Sequence, residues 1–339
     1  MASKIQPKQA NAPRTLIGWQ GVRFTLPAEW NITGFSMERD NGYLKVDSPG
    51  TMFVQIKWSS PNVRKPITLG DWIVRLWRLF RPAPPGEEKI PDIRQMLESF
   101  LKQTEKQARK EKKPFESKIK PETIEANGER IAHHFTWSGQ GQGQGKIWYC
   151  KTCRRVVIAQ VVGQKKDHLA DIASEMFGSL CDHPQEGWAT WALYDMVAGV
   201  PEDFSLKSQK LMSGYLKLEF ERRAERIVIE RWGLANVVRK KFSLEEWLDT
   251  TYPTRSTRSE KQAAIVQEHA GWIAHGRVRS PLDWMRAMRD ALFSLRPATR
   301  YAVCVWECEE TNKIYGIQVW HNVRTKGLLE EVMARCECH

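Results

Sequence analysis

At 339 residues the chain exceeds what one hydrophobic core usually fills, so two domains are expected, and a formal net charge of +12 points to an acidic partner or to solubility alone. No stretch approaches the roughly eighteen apolar residues of a membrane span, and the polar, basic start MASKIQPKQANAPR lacks the apolar run of a secretory leader, so a cytoplasmic protein is expected. Seven cysteines, an odd number in a chain with no export signal, favour free thiols or metal ligands over a disulfide framework.

In chain order, residues 1–14 read as a disordered basic tail. Folding is expected to begin at Gly18–Val22, and the first strand to close at Pro27, because proline cannot continue an inner ladder. GYLKVDSPGTMFVQIKW, Gly42–Trp58, reads as a hairpin turning at Ser48-Pro49-Gly50. Its counterpart in the second half is GYLKLEFERRAERIVIERW, Gly214–Trp232. Pro27 precedes Trp58 by the same interval as Pro201 precedes Trp232, which implies a shared register. A short helix is expected after each tryptophan, GDWIVRLWRLF from Gly70 and LEEWLDTTY from Leu244.

The halves then diverge. Asp92 with Gln95 reads as a capping box, and Ile93, Met96, Leu97, Phe100 and Leu101 form an apolar stripe at helical spacing. The first half thus carries an inserted basic helix over 92–113, with Pro114 ending it. Its second part, with Lys102, Lys106, Arg109, Lys110, Lys112 and Lys113, offers nothing apolar to pack. A projecting, net basic surface that suits an acidic protein face or a phosphate backbone is expected there. Ile131–His133 and Ile273–His275 read as equivalent strands. GQGQGQG, Gly139–Gly145, reads as a flexible connector, and the segment bounded by Pro281 and Pro297 as a helix.

The strongest internal repeat is WYCKTCRRVVIAQVV, Trp148–Val162, which recurs as WECEETNKIYGIQVW, Trp306–Trp320, without a gap. Each copy reads as a hairpin around a polar turn. An amphipathic helix follows, with Asp167 as N-cap and Leu169, Ile172, Ala173, Met176, Phe177 and Leu180 on one face. The two halves are joined through PQEGWATW, Pro184–Trp191.

Any chemistry lies in the cysteines. Cys150 and Cys153 occupy the first hairpin turn, a CxxC spacing that can bring two thiolates to one tetrahedral ion. The closing helix must run back toward that turn. Ten strand residues rise roughly 33 Å and fourteen helical residues return about 21 Å, with loop residues covering the rest, so Cys181 and His183 can join them. Cys150, Cys153, Cys181 and His183 therefore read either as a Cys₃His zinc site, one per chain, or as ordinary thiols. In the second half Thr311 replaces Cys153, and a degenerate or absent site is expected around Cys308, Cys338 and His339. Cys304 and Cys336 read as small core residues.

The order of elements, with VRFTLPAEW, NGERIAHH, KIWYCKTCRRVVIAQVV and ADIASEMFGSL, resembles the PsbP-like superfamily, duplicated in tandem. That family includes the extrinsic PsbP subunit of photosystem II and a Ran-binding protein of nuclear transport. The resemblance implies an α+β fold of two tandem α/β/α sandwich domains, 15–183 and 186–339, each built on an antiparallel β-sheet. It also implies a non-catalytic scaffold that docks to a larger macromolecular assembly. Two alternatives stay open. One is a nucleic-acid-binding accessory protein using the basic helix and Trp-rich surfaces; the other is a thiol- or metal-dependent enzyme, for which Arg154 and Arg155 beside Cys153 favour a thiolate. No nucleophile elbow, phosphate loop or HExxH stands in the sequence.

Overall fold

The computed structural model describes residues 13–37, 41–60, 90–252, 260–277, 285 and 298–338. Residues 1–12 of the expected tail, the helix expected from Gly70 and nearly all of the one between Pro281 and Pro297 lie outside the described residues. The chain divides into two units. Unit 1 comprises residues 1–15 and 24–183, and unit 2 comprises 16–23 and 184–339.

Unit 1 is built on a seven-stranded antiparallel sheet. Its strands are β3 (Asn31–Met37), β4 (Asn41–Asp47), β5 (Phe53–Ser59), β6 (Glu116–Glu125), β7 (Arg130–Ser138), β8 (Gly141–Cys150) and β9 (Val156–Gln164). They lie side by side in the order β3-β4-β5-β9-β8-β7-β6. Alternation in β4 and β5 buries Leu44, Val46, Val54 and Ile56 completely. Helix α1 (Ile93–Lys110) starts where the Asp92 carboxylate accepts the Gln95 N–H, and lays Ile93, Leu97 and Leu101 onto Phe135, Ile147, Tyr149 and Val156. Helix α2 (Leu169–Ser179) buries Leu169, Ala173 and Met176. Asp167 does not cap it. The Asp167 carboxylate instead accepts the Gln164 N–H and the Thr51 hydroxyl, and the N-cap is His168.

Unit 2 repeats that order strand for strand. Its seven-stranded sheet runs β12 (Ser205–Met212), β13 (Tyr215–Arg222), β14 (Glu225–Gly233), β18 (Lys313–His321), β17 (Arg300–Cys308), β16 (His269–Arg277) and β15 (Glu260–Val266). Helices α3 (Ala235–Arg239), α4 (Leu244–Thr251) and α5 (Leu328–Met333) accompany it. Trp247 and Leu248 from α4, and Tyr252 just after it, pack with Val303, Val305 and Ile314. Unit 2 also contains a smaller sheet. There β1 (Arg14–Trp19), β10 (Trp188–Leu193), β11 (Met196–Pro201) and the short β19 (Cys336–Glu337) lie in the order β19-β11-β10-β1, followed by β2 (Val22–Pro27); of β1 and β2, residues 16–19 and 22–23 belong to this unit. Trp19 is fully buried there, edge-on to Trp191, which meets Phe220 of β13 in the same way.

Two tandem α/β/α sandwiches are therefore not what forms, and the α+β class is corrected to a mainly β protein. Strands dominate the described residues and make three antiparallel sheets, with helices as separate segments rather than layers. The physical reason lies in strands with no apolar alternation. β6 (ESKIKPETIE), β12 (SLKSQKLM) and β15 (EKQAAIV) are almost wholly exposed because each is a sheet edge, where polar side chains discourage pairing with another chain. Pro121 sits at a register shift of this edge strand, where no ladder hydrogen bond is lost to it.

Three local expectations change as well. Gly141–Gly145 is strand, not connector. A Cβ on Gly143 would lie 2.2 Å from the Trp137 indole nitrogen, so the neighbouring strand's aromatic ring lies directly over bare backbone. His133 pairs with Ile147 and His275 with Ala302, which leaves the two histidines three residues out of step rather than equivalent. Trp58 pairs with Val157, whereas the counterpart of Val157, Tyr315, pairs with Arg231; Trp232 points to the other face, against Trp247.

Candidate metal centre and the basic helix face

The two long hairpins keep identical register. Trp148 pairs with Val157 and Trp306 with Tyr315, an unbroken correspondence that makes Cys150 and Cys308 equivalent. The turns agree in backbone too, since Arg154 (φ 56°) and Asn312 (φ 54°) hold the same left-handed position. In unit 1 the turn is closed by the Cys150 N–H on the Arg155 carbonyl at 3.0 Å. That geometry presents Cys150 and Cys153 on one side.

Helix α2 returns the chain to this turn. Donor atoms of Cys150, Cys153, Asp182 and His183 all lie within 4.8 Å of one another, an arrangement that can hold a metal ion. Of the four residues expected from the sequence, Cys150, Cys153 and His183 meet, and Cys181 does not. The Cys181 thiol donates to the His183 carbonyl at 3.2 Å, and Asp182 stands in its place. Asp182 is fully buried. Its carboxylate accepts the Trp148 indole N–H, an Arg130 guanidinium N–H at 2.9 Å and approaches His183 Nδ1 at 2.9 Å. Burial pushes the Asp182 carboxyl up, but these partners outweigh it and hold it below the usual carboxylate range. The hydrogen bond from Cys153 brings the Cys150 thiol down to about 6 against its burial, while Cys153, as the donor, is pushed up.

Unit 2 also brings three metal-ligating groups together, two of them, Cys308 and Cys338, from the set weighed in the sequence and the third, His269, from outside it. Donor atoms of His269, Cys308 and Cys338 fall within 4.8 Å of one another. His269 begins β16, opposite the end of β17, and the pairing of Gly271 with Trp306 continues to bring it level with Cys308. Cys338 follows β19 and is fixed by the Tyr315 hydroxyl, which donates to its carbonyl at 3.1 Å. Burial pushes the Cys338 thiol up to about 11. Cys304 and Cys336 are buried apart from this cluster, and His339 lies outside the described residues.

On α1, Lys102, Lys106, Arg109 and Lys110 are exposed; in the turn after it Lys112 is exposed and Lys113 half-buried. Arg109 pairs with Glu105 at 2.7 Å and Lys113 with Glu111, leaving Lys102, Lys106, Lys110 and Lys112 without an ion pair among the described residues. The second half of the helix does not project wholly free. Thr104, Glu105 and Ala108 are half-buried.

No protein-family model and no curated protein matches the chain. Its chemistry is therefore read from these clusters alone. Asp182, Arg130 and His269 carried no signal in the sequence, because each reaches its cluster through strand register or through the two residues that separate Asp182 from the helix end. No helix among the described residues is long and apolar enough to cross a membrane.

Proposed function

We propose that the chain is a non-catalytic binding protein that docks to a larger assembly through the cationic face of α1, with a structural zinc ion held at the first hairpin turn. The observation that carries the docking surface is a helix anchored by Ile93, Leu97 and Leu101, which together with the turn after it presents four lysines that have no ion pair among the described residues. Burying those three side chains stabilises the helix by roughly 1.5–3 kcal/mol each before ordering costs, enough to hold it in place without help from its charged half. The charge favours an acidic protein partner. Changing Lys102, Lys106, Lys110 and Lys112 together to Gln should leave the melting temperature within about 1 °C, since exposed charges contribute little to stability. Purified side by side, the wild type should retain a partner that the variant loses. A partner that stays bound to the variant would remove the docking role. Binding of RNA with a salt slope of about −0.7 per phosphate contacted, flattened in the variant, would replace it with nucleic-acid binding.

Zinc suits the first cluster because its four donors match a closed tetrahedral site. The charges balance as well. Two thiolates, the Asp182 carboxylate and the Arg130 guanidinium sum to −2, which a divalent cation neutralises in a buried place. A Cys–His–Asp hydrolytic arrangement fits less well: Cys150 Sγ, at 3.6 Å, and Asp182 Oδ1 both face the same nitrogen, Nδ1 of His183, whereas relay through a histidine needs both nitrogens. Protein purified without chelator should carry zinc, and Cys153→Ser should lose about one equivalent per chain by elemental analysis. Unchanged zinc content in Cys153→Ser would remove the ion from this turn.

A further inference from the structure

The strands that place the first cluster are duplicated in unit 2, and the side chains around the hairpin cysteine change there in a correlated way. Cys308 stands at the position of Cys150, two residues after a fully buried tryptophan in both cases. Arg130 pairs with Cys150 across β7 and β8, and the equivalent position beside Cys308 is His269. Asp182 accepts the Trp148 indole N–H, whereas Cys338 stands near the indole of Trp306, whose buried N–H has no hydrogen-bond partner among the described residues. Cys153 is replaced by Thr311.

We infer that His269, Cys308 and Cys338 form a second metal site, equivalent in position to the first but with a softer donor set, which takes a zinc-like divalent cation. The inference stands on its own donors and does not require the first site to be filled.

The three replacements conserve charge. With its thiols ionised, unit 1 presents two thiolates, one carboxylate and one guanidinium; unit 2 presents two thiolates and a neutral imidazole, and both sum to −2. Thr311 removes one anion and His269 removes the one cation, so a single divalent ion neutralises either cluster. The exchange also removes the buried Arg130–Asp182 pair and puts two metal-binding side chains in its place. Cys308 and Cys338 are both buried. Ionised without a cation they would be two charges of like sign side by side out of water, so the cluster is stable either with both thiols protonated or with the cation bound. On binding, each thiol releases its proton to solvent and no electron is transferred. Two sulfurs and one imidazole nitrogen are donors for a borderline-soft ion such as Zn²⁺ rather than for Mg²⁺ or Ca²⁺, which take oxygen. Three protein donors leave one coordination position for a small ligand such as water.

The test uses full-length Cys153→Ser, which disables the first cluster and has no counterpart in the second. This variant should still carry about one zinc per chain, and metal-free protein titrated with Co²⁺ should develop the near-ultraviolet thiolate-to-cobalt band. Adding Cys338→Ser or His269→Asn should abolish both signals. His269 is half-buried at a strand end, so its replacement is the variant expected to keep the fold, checked by an unchanged circular dichroism spectrum. A zinc-free Cys153→Ser protein with no cobalt–thiolate band overturns the second site, and the first survives if the wild type carries one equivalent. Zinc retained in Cys153→Ser and lost with His269→Asn supports the second site, whatever the wild-type total says of the first.

Discussion

Gly145→Val should prevent unit 1 from closing its sheet. A Cβ at Gly145 would lie 2.3 Å from Cζ of Phe135 and 2.7 Å from the carbonyl oxygen of Ala159, so both the neighbouring ring and fixed backbone oppose it. Phe135 is itself buried beneath α1, against Leu97 and Leu101, and has no free space to enter. Overpacking a close-packed site costs about 1–3 kcal/mol when the surroundings can shift, and more when backbone blocks the way; a domain has only about 5–15 kcal/mol in total. Amide hydrogen exchange gives a reading for each unit separately. Residues of β8 and β9 should lose protection by a factor of a hundred or more, while those of β17 and β18 keep theirs. Gly178→Ala is the control, because no atom lies within 4 Å of a Cβ there and protection should not fall. Wild-type protection across β8 in Gly145→Val would mean that the close approach of Phe135 is wrong.

The second large effect is expected at Asp182. Replacing it with Ala removes the acceptor for the Trp148 indole and leaves the Arg130 side chain, 15% exposed, without its carboxylate. Breaking a buried pair from one side costs about 3–5 kcal/mol, because the remaining charge stays desolvated. Asp182→Asn keeps an acceptor for Trp148 and should cost visibly less. Combining Asp182→Leu with Arg130→Met removes both charges and should recover much of the loss. Denaturant midpoints of metal-free protein decide this, so that no cation masks the pair. A loss below about 0.5 kcal/mol for Asp182→Ala would remove the carboxylate from the centre of this network.

The features legible in the sequence were those whose cause is local. The long hairpins were readable because β-branched runs flank a four-residue turn in both copies, and the unbroken spacing from Trp to Cys to Gln carried their register. Cys150, Cys153 and His183 could be brought together by counting strand and helix lengths. The α1 stripe was equally visible, and its anchoring residues are the ones buried. What failed had a non-local cause. Gly141–Gly145 has the composition of a loop, yet Gly143 and Gly145 answer to aromatic rings on β7 and Gly141 to the Gly163 carbonyl of β9. The edge strands β6, β12 and β15 have no buried face, so hydrophobic periodicity had nothing to report. Arg130 and His269 join their clusters by cross-strand register, which a single chain does not reveal before its pairing is known.

The hairpin at residues 16–23 has a consequence for the order in which the molecule can be completed. Gly18 pairs with Ala192, so β1 leaves the ribosome ahead of the unit 1 sheet yet belongs to the unit whose main sheet is made after it. At roughly 5–20 residues per second, β1 waits on the order of ten seconds or longer for β10, with the buried face of Trp19 uncovered throughout. Unit 1 has all its strands by then and can fold without delay. A gene cut between codons 183 and 184 would not give two whole modules: the downstream piece would lack Trp19 and the strand that covers β10, and only a permuted version with residues 16–23 attached to it would restore them.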